Sequence, residues 1–482
     1  MKRTLPVFLL VCVLTVLAFA QPPDSLWSRS FGGDMGEICW SILPAADGGF
    51  LMAGWTESYG AGDNDFWLLK TDANGDSLWS HAYGSEAEDL GFAMCPAGDG
   101  GFLLAGYTSV AGSPDFWIVK VDADGTPLWD HRYGGALDDR CWDVQPTTDG
   151  GYVLAGWTSS FGAGGGGDFW LLKINSEGDS LWSRTFGGSN IDYCYSVKQT
   201  TDGGFVLAGY TSSFGALNHD FWLVKTDANG DSLWSRTFGG PDQEDGRAVV
   251  QTSDGGYLIT GWGQLLTPGN TNFIAIRTDA NGDSLWGRVY GGELSDFCNT
   301  VIPVMGGGYV LAGRSYSFSN GLYDIWLLRI SEDGDSLWST HWGGADADNC
   351  ISVVQLADAS FVLGGTTFIT GAGLQHYILK TTPDPLPAGD FRSFQPQTFA
   401  LSVYPNPFNP STTIFFDFPR ATRARLCVFD VTGRLITTLA DEHFTAGSHA
   451  LSFDGSALPS GIYFAQLRTE NHHQTAKLVL MK

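Results

Sequence analysis

The sequence predicts an all-β protein, a seven-bladed β-propeller followed by a small immunoglobulin-like β-sandwich. Three observations carry this expectation. A Leu-Trp pair recurs at Trp27, Trp79, Trp129, Trp182, Trp234, Trp286 and Trp338, a period of about 52 residues that lies in the range for propeller blades. Each unit reads as four short alternating runs, in the fourth copy "DYCYSVKQT", "GGFVLAGYT", "DFWLVKTD" and "DSLWSRTFG", separated by Asp-Gly and Asn-Gly turn signals. The 64 Gly and 18 Trp, with only 16% charged residues, describe a turn-rich aromatic chain able to bury a large core.

In chain order, residues 1–20 read "MKRTLPVFLLVCVLTVLAFA". Two basic residues, an apolar run and Ala18-Phe19-Ala20 make a secretory signal peptide, too short to span a bilayer comfortably. Pro22 and Pro23 stop any helix that would retain it as an anchor. The mature chain is expected to be exported, with no transmembrane anchor.

Residues 21–381 form the expected propeller. A four-stranded unit cannot bury both of its faces alone, so the units must pack around an axis. The array opens on a lone outer-strand unit, "DSLWSRSFGG" from Asp24, and stops on a third-strand unit, "HYILKTT" from His376. The strand at 24–31 is therefore expected to close the last blade by pairing with 376–381. Residues 382–400, "TPDPLPAGDFRSFQPQTFA", are Pro-rich and read as a linker.

Residues 401–482 contain alternating runs such as "TTIFFDF", "ARLCVFDV" and "GIYFAQLR" around a "VTGR" turn, which suits a small antiparallel sandwich. Together with "LSVYPNPFNPSTTI", "LPSGIYFAQL" and the closing "TAKLVLMK", these residues resemble the C-terminal sorting domain of proteins exported by the type IX secretion system. The resemblance implies that 401–482 meets the type IX machinery and delivers the protein to the outer cell surface or the medium. The repeats resemble, more loosely, secreted bacterial propellers that carry the same tail.

The net charge is −26; the signal contributes +2 and residues 401–482 +1, which leaves an acidic body of −29. That excludes nucleic acid and anionic membranes as natural partners. Ten residues after each repeat Trp stands a carboxylate: Glu37, Asp89, Asp139, Asp192, Glu244, Asp296 and Asp348. A sevenfold acidic ring near the channel mouth would hold a hydrated calcium ion or a basic ligand. The alternative, which we prefer, is that each carboxylate caps backbone N–H groups of its own loop.

The recurring "DANGD", for example Asp72, Asn74 and Asp76, has calcium-loop oxygens but lacks an EF-hand's Gly and distal Glu, and is read as a hairpin turn. It approaches the Asp-box of sialidase-like propellers but is out of register with it. "GDSLW" is similar to the tryptophan-docking repeat of quinoprotein dehydrogenases, without their adjacent cysteines, so no cofactor is expected. Cys39, Cys141, Cys194, Cys298 and Cys350 exchange with Gly91 and Gly246 at one repeat position, which reads as small, buried, free thiols. His81 and His131 replace the outer-strand Arg29, Arg184, Arg236 and Arg288 and read as edge charges. Arg314, Tyr316 and Tyr323 mark the blade that departs most from the repeat.

No catalytic residue emerges from these patterns. The function expected is a secreted binding or scaffold propeller for an extracellular glycan or protein, and the alternative is a polysaccharide hydrolase or lyase on the same scaffold.

Overall fold

The computed structural model describes residues 22–481 apart from 111, 163–165, 216–217, 265–269, 320, 386–399, 405–407, 409, 419–421, 445–446 and 470–471. The expected signal peptide at 1–20 and most of the expected linker at 382–400 lie outside the described residues.

The repeats fold into seven four-stranded antiparallel sheets, the blades of a β-propeller. Blade four shows why. Its strands Asp192–Gln199, Phe205–Thr211, Asp220–Thr226 and Ser232–Phe238 pair in sequence order. The hairpin before the outer strand is set by Asp227, whose Oδ1 accepts the N–H groups of Asn229 and Asp231 at 2.8 and 2.9 Å. Gly230, at φ +79°, supplies the left-handed residue this turn requires.

Burial follows position in the blade. The third strand is buried at every residue, whereas every residue of the outer strand is exposed or half-buried. Both faces of the inner strands are covered because adjacent blades share cores: Ala155, Phe169 and Leu171 of the third blade pack with Val197, Phe205, Leu207 and Trp222 of the fourth. A ring pair recurs at these seams, with centroids 4.6 Å apart for Phe66 and Trp117, 4.4 Å for Phe116 and Trp170, and 4.5 Å for Phe169 and Trp222. At the seam between the two ends of the array, His376 takes the Phe position and meets Trp67 at 4.4 Å.

The repeat Trp acts between blades. Trp182 lies so close over the Gly230 hairpin of the next blade that a Cβ there would collide with its ring, and Trp27 over Gly75, Trp234 over Gly282 and Trp286 over Gly334 repeat the arrangement. Gly is thus required twice at this site, by its φ and by the indole. Arg184 extends over Trp182, 5.6 Å from the ring centroid, and bonds Asp231 of the same neighbouring hairpin at 2.9 Å.

The last sheet contains Asp348–Gln355, Ser360–Ile369 and Gly373–Pro383, and its fourth strand is Ser25–Phe31, antiparallel with Arg29 opposite Ile378 and Phe31 opposite His376. A second tie lies nearby. In six blades a basic residue near the end of the third strand meets an Asp in the turn between the first two strands, as Lys70 meets Asp47 at 2.8 Å and Lys225 meets Asp202 at 2.9 Å. The sixth blade has Gly306 at that turn position. Its Arg329 instead pairs at 3.3 Å with Asp384, just beyond the last strand, and both side chains are almost completely buried. Trp338 Nε1 donates to the same carboxylate at 3.0 Å.

The C-terminal residues form two sheets. Ala400–Tyr404, Ser411–Phe418 and Gly447–Asp454 make one; Thr422–Asp430, Leu435–Phe444, Gly461–Thr469 and His473–Leu480 make the other. Ile414 and Phe416 of the first pack with Leu426, Val428, Leu467 and Leu478 of the second in one core, which is a β-sandwich.

Asp384→Ala leaves a buried guanidinium without its partner and should cost about 3–5 kcal/mol. Asp47→Ala also strands a buried ammonium, that of Lys70, but the carboxylate it removes is largely exposed and water can replace it, so the cost should be smaller, about 1–2 kcal/mol. Denaturant midpoints of the two variants check this, and equal costs would contradict it.

Candidate functional site

Each of the seven carboxylates singled out from the sequence opens the innermost strand of its blade. All are at most 7% exposed. Each accepts the backbone N–H four residues earlier: Gly33 for Glu37 at 3.2 Å, Ser85 for Asp89 at 2.7 Å, Gly135 for Asp139 at 2.8 Å and Gly188 for Asp192 at 2.9 Å. Gly240 serves Glu244 at 2.9 Å, Gly292 serves Asp296 at 3.0 Å and Gly344 serves Asp348 at 3.0 Å. In four blades a hydroxyl at the end of the second strand donates to the other oxygen: Thr56 to Glu37, Thr158 to Asp139, Thr211 to Asp192 and Ser315 to Asp296. The carboxylates therefore cap their own loops. They are not gathered around one shared ion, and among the described residues no group of three or more His, Cys, Asp or Glu is placed to hold a metal.

The packing brings a second polar side chain to each seam that the repeat-by-repeat reading did not single out. It opens the preceding blade's third strand in six blades, as Asp65, Asp115, Asp168, Asp220, Asn272 and Asp324, and is Gln375, the third residue of the longer strand Gly373–Pro383, in the last. The first glycine of the turn is wedged between the two. A Cβ on Gly84 would meet both Asp65 Oδ1 and Asp89 Oδ2, and one on Gly134 both Asp115 and Asp139. Burial first, and the facing Asp89 charge after it, raise the Asp65 carboxyl to about 6, against one lowering hydrogen bond from Ala61.

The other sequence candidates have structural roles. Asp72 Oδ1 accepts the N–H groups of Asn74 and Asp76, both at 2.9 Å, so this copy of the "DANGD" string is an Asx turn. His81 and His131 lie 3.2 Å from the carbonyls of Asp124 and Glu177 in the next blade's hairpin, so they bridge blades as well as cover an edge. Cys39, Cys95, Cys141, Cys194, Cys298, Cys350 and Cys427 are all free and buried; burial pushes the Cys39 and Cys298 thiols up to about 12, which makes them inert.

The departure from symmetry is at the axis. The residue after the Cys or Gly position of each innermost strand is Trp40, Phe92, Trp142, Tyr195, Arg247, Asn299 and Ile351 in turn. Trp40, Phe92 and Trp142, from three consecutive blades, contact one another with centroids 5.0, 4.0 and 5.8 Å apart. Tyr195 continues the row 5.5 Å from Trp142, and the Arg247 guanidinium covers the Tyr195 ring at 4.0 Å. Rings from blades one and three can meet only across the central channel.

A second tier lies toward the ends of the same strands that carry the carboxylates. Arg140 lies over Tyr107 at 4.9 Å and bonds Asp138 at 3.2 Å. Tyr210 stacks on His219 at 4.1 Å, His219 Nδ1 is 3.3 Å from Asp245, and Asp245 also meets Arg247 at 3.4 Å. Arg314 lies over Phe297 and Tyr323 at 4.7 and 5.1 Å. Only Arg314, Tyr316 and Tyr323 of this set were visible as deviations. Trp40, Phe92, Trp142, Tyr195, His219, Asp245 and Arg247 were missed, although a signal exists for five of them: the column of the repeat alignment directly after the Cys or Gly, which holds Trp40, Phe92, Trp142, Tyr195 and Arg247, changes residue from each blade to the next.

The chain is thus a β-propeller protein with a separate C-terminal sandwich. Residues 402–481 match the family model described as the secretion system C-terminal sorting domain, so the sandwich is a type IX sorting domain and the protein is exported to the cell surface or the medium. No helix among the described residues is long and apolar enough to cross a membrane. A regulatory protein, FlaEY of Caulobacter vibrioides, is 26% identical over 174 residues, which are 31% of this chain and 18% of that protein; the chain therefore spans less than a fifth of that relative. Among solved structures, a fungal alcohol oxidase in complex with copper superimposes with a TM-score of 0.50 at 12% identity, over 95% of this chain and 100% of that one. Sqt1 from Chaetomium thermophilum gives a TM-score of 0.43 at 13% identity, over 75% and 99%. The first of these likenesses supports the fold and nothing more.

The Asp65 carboxyl predicts a pH effect with a definite sign. Its folded-state value, about 6, is above the unfolded value of about 3.9, so the folded state holds the extra proton between them and stability falls as pH rises through that window. In metal-free buffer Asp65→Asn should therefore raise Tm near pH 7.5, with a gain that shrinks toward pH 4.5. Thermal melts across the range check it; a gain independent of pH would contradict the assignment.

Proposed function

We propose that the propeller is a non-catalytic extracellular binding module that recognises a glycan at the mouth of its central channel, and that the sorting domain delivers it there. The observation that carries this reading is the row of Trp40, Phe92, Trp142 and Tyr195 ending at Arg247. Aromatic faces with polar tips stack on the apolar faces of sugar rings, and guanidinium groups pair with carboxylate or sulfate substituents. All but Phe92 are only partly buried. The second tier supplies donors and acceptors in Arg140, Tyr210, His219 and Asp245.

A hydrolase or lyase is the second reading, and one feature favours it: the His219–Asp245–Arg247 cluster occurs in only one part of the ring. Binding is preferred because the Asp245 side chain is 8% exposed and held between two cationic partners, whereas glycosidic cleavage needs two carboxyls free to reach the scissile bond.

A glycan array combined with a polysaccharide degradation screen tests the proposal. Retention of a glycan without turnover is expected, and Trp142→Ala or Arg247→Ala should weaken it by about tenfold or more. Turnover abolished by His219→Ala would overturn the non-catalytic reading.

Deleting residues 401–482 should leave a folded propeller trapped in the periplasm of a host with type IX secretion, as read by fractionation. Efficient appearance of the truncated protein outside the cell would contradict it.

A further inference from the structure

The seven seams are built alike, and the one joining the two ends of the array differs in an informative way. There the third strand carries Gln375 at the position where five of the seven seams have Asp. The Gln375 amide nitrogen sits among five oxygens: the carbonyls of Gly33 at 3.2 Å, Met35 at 3.4 Å, Ala372 at 2.9 Å and Leu374 at 3.0 Å, and Glu37 Oε2 at 3.0 Å. An amide nitrogen carries two protons and cannot serve five acceptors. Carbonyl oxygens converging with a carboxylate on one point form the environment of a hard cation, and the amide nitrogen stands at that point.

At the seam between the first and second blades no amide fills the space. Asp65 replaces Gln375, Asp89 replaces Glu37, and in the same register the Gly33, Met35 and Leu374 carbonyls become those of Ser85, Ala87 and Asn64. Both aspartates are 1% exposed. Asp65 Oδ2 is engaged by the Ala61 N–H at 2.7 Å and Asp89 Oδ2 by the Ser85 N–H, whereas Oδ1 of each is buried with no hydrogen-bond partner. Gly84 lies against both carboxyls, nearest to Asp65 Oδ1 and Asp89 Oδ2, and brings no side chain of its own to the seam. Two buried carboxylates with an oxygen each to spare are costly unless a positive charge joins them.

We propose that the Asp65–Asp89 seam is a calcium site, with Asp65 and Asp89 as its anionic ligands, the carbonyls of Ser85, Ala87 and Asn64 completing the shell, and Gln375 occupying the ion's place where the ring closes. Calcium suits such a shell because it accepts six to eight oxygens, carboxylate and carbonyl alike, in irregular geometry, whereas magnesium demands an octahedron and keeps its waters. The Asp115–Asp139 seam differs: Asp115 Oδ1 is also buried and unpartnered, but Asp139 has no oxygen to spare, Oδ1 being bonded by Thr158 and Oδ2 by the Gly135 N–H, so the site is confined to the Asp65–Asp89 seam. The rival arrangement, one proton shared by the two carboxyls, needs no carbonyl ligand and would respond to acid and not to calcium.

The test uses the full mature chain, stripped with chelator and titrated with calcium chloride near pH 7.5, reading bound metal by equilibrium dialysis and Tm by calorimetry. Uptake at up to about 1 mM free calcium, the range of extracellular sites, is expected, with a Tm rise of a few degrees as the folded state alone binds. Asp65→Asn copies the Asn272 found at another seam and so preserves the fold; it should bind one ion fewer, as should Asp89→Asn if circular dichroism shows it folded. No uptake, an unchanged ion count in Asp65→Asn, or a Tm that responds to acid but not to calcium would overturn the assignment, the last in favour of a shared proton.

Discussion

A four-stranded blade has two apolar faces and can cover neither by itself, so every blade depends on the one before it and the one after it. The repeat is the record of that constraint. Trp182 reaches over the next blade's Gly230, and Phe169 meets the next blade's Trp222. These are contacts between units, which is why the most regular residues in the chain are those at seams and not those within a sheet. The constraint has no natural end: a row of blades leaves two bare faces, and only a closed ring removes them. Here closure is made by pairing Ser25–Phe31 with Gly373–Pro383, with Trp67 packed on His376, and it is reinforced by the buried Arg329–Asp384 pair.

Closure separates two kinds of residue. Seam residues must satisfy the same geometry at every junction, so the loop-capping carboxylates and the wedged glycines recur around the ring. Residues on the channel wall meet only one another and whatever enters. They are free to differ, and they do: three rings, a tyrosine, an arginine, an asparagine and an isoleucine follow in order. Repetition therefore marks architecture and its absence marks the surface available for recognition, while the seam where Gln375 replaces Asp marks where a buried charge has been exchanged for an amide.

The architecture was legible because each level of the sequence agrees: alternation sets strands, Asp-x-x-Gly sets hairpins and the Leu-Trp period sets blades. The capping of Glu37 and its six counterparts was legible too, since a carboxylate four residues after a Gly-Gly turn has nearby N–H groups to accept. What was not legible lies between repeats. Asp65 and Asp89 are 24 residues apart and belong to different blades, so no local pattern announces that they share a seam. The Asp384 partner of Arg329 could not be read either, because it replaces a missing turn aspartate from a different part of the chain. Trp40, Phe92 and Trp142 look like ordinary strand aromatics until three blades are brought to one axis.

The claim beneath all of this is that the ring is closed and that each blade is stable only while both neighbours cover it. Hydrogen–deuterium exchange on a propeller lacking residues 22–31 measures it most directly. The account predicts that the amides of Gly373–Pro383 and of the rest of that sheet lose protection, that the loss spreads to the Trp67 seam, and that the unfolding midpoint drops. Unchanged protection in that sheet, with an unchanged midpoint, would contradict it.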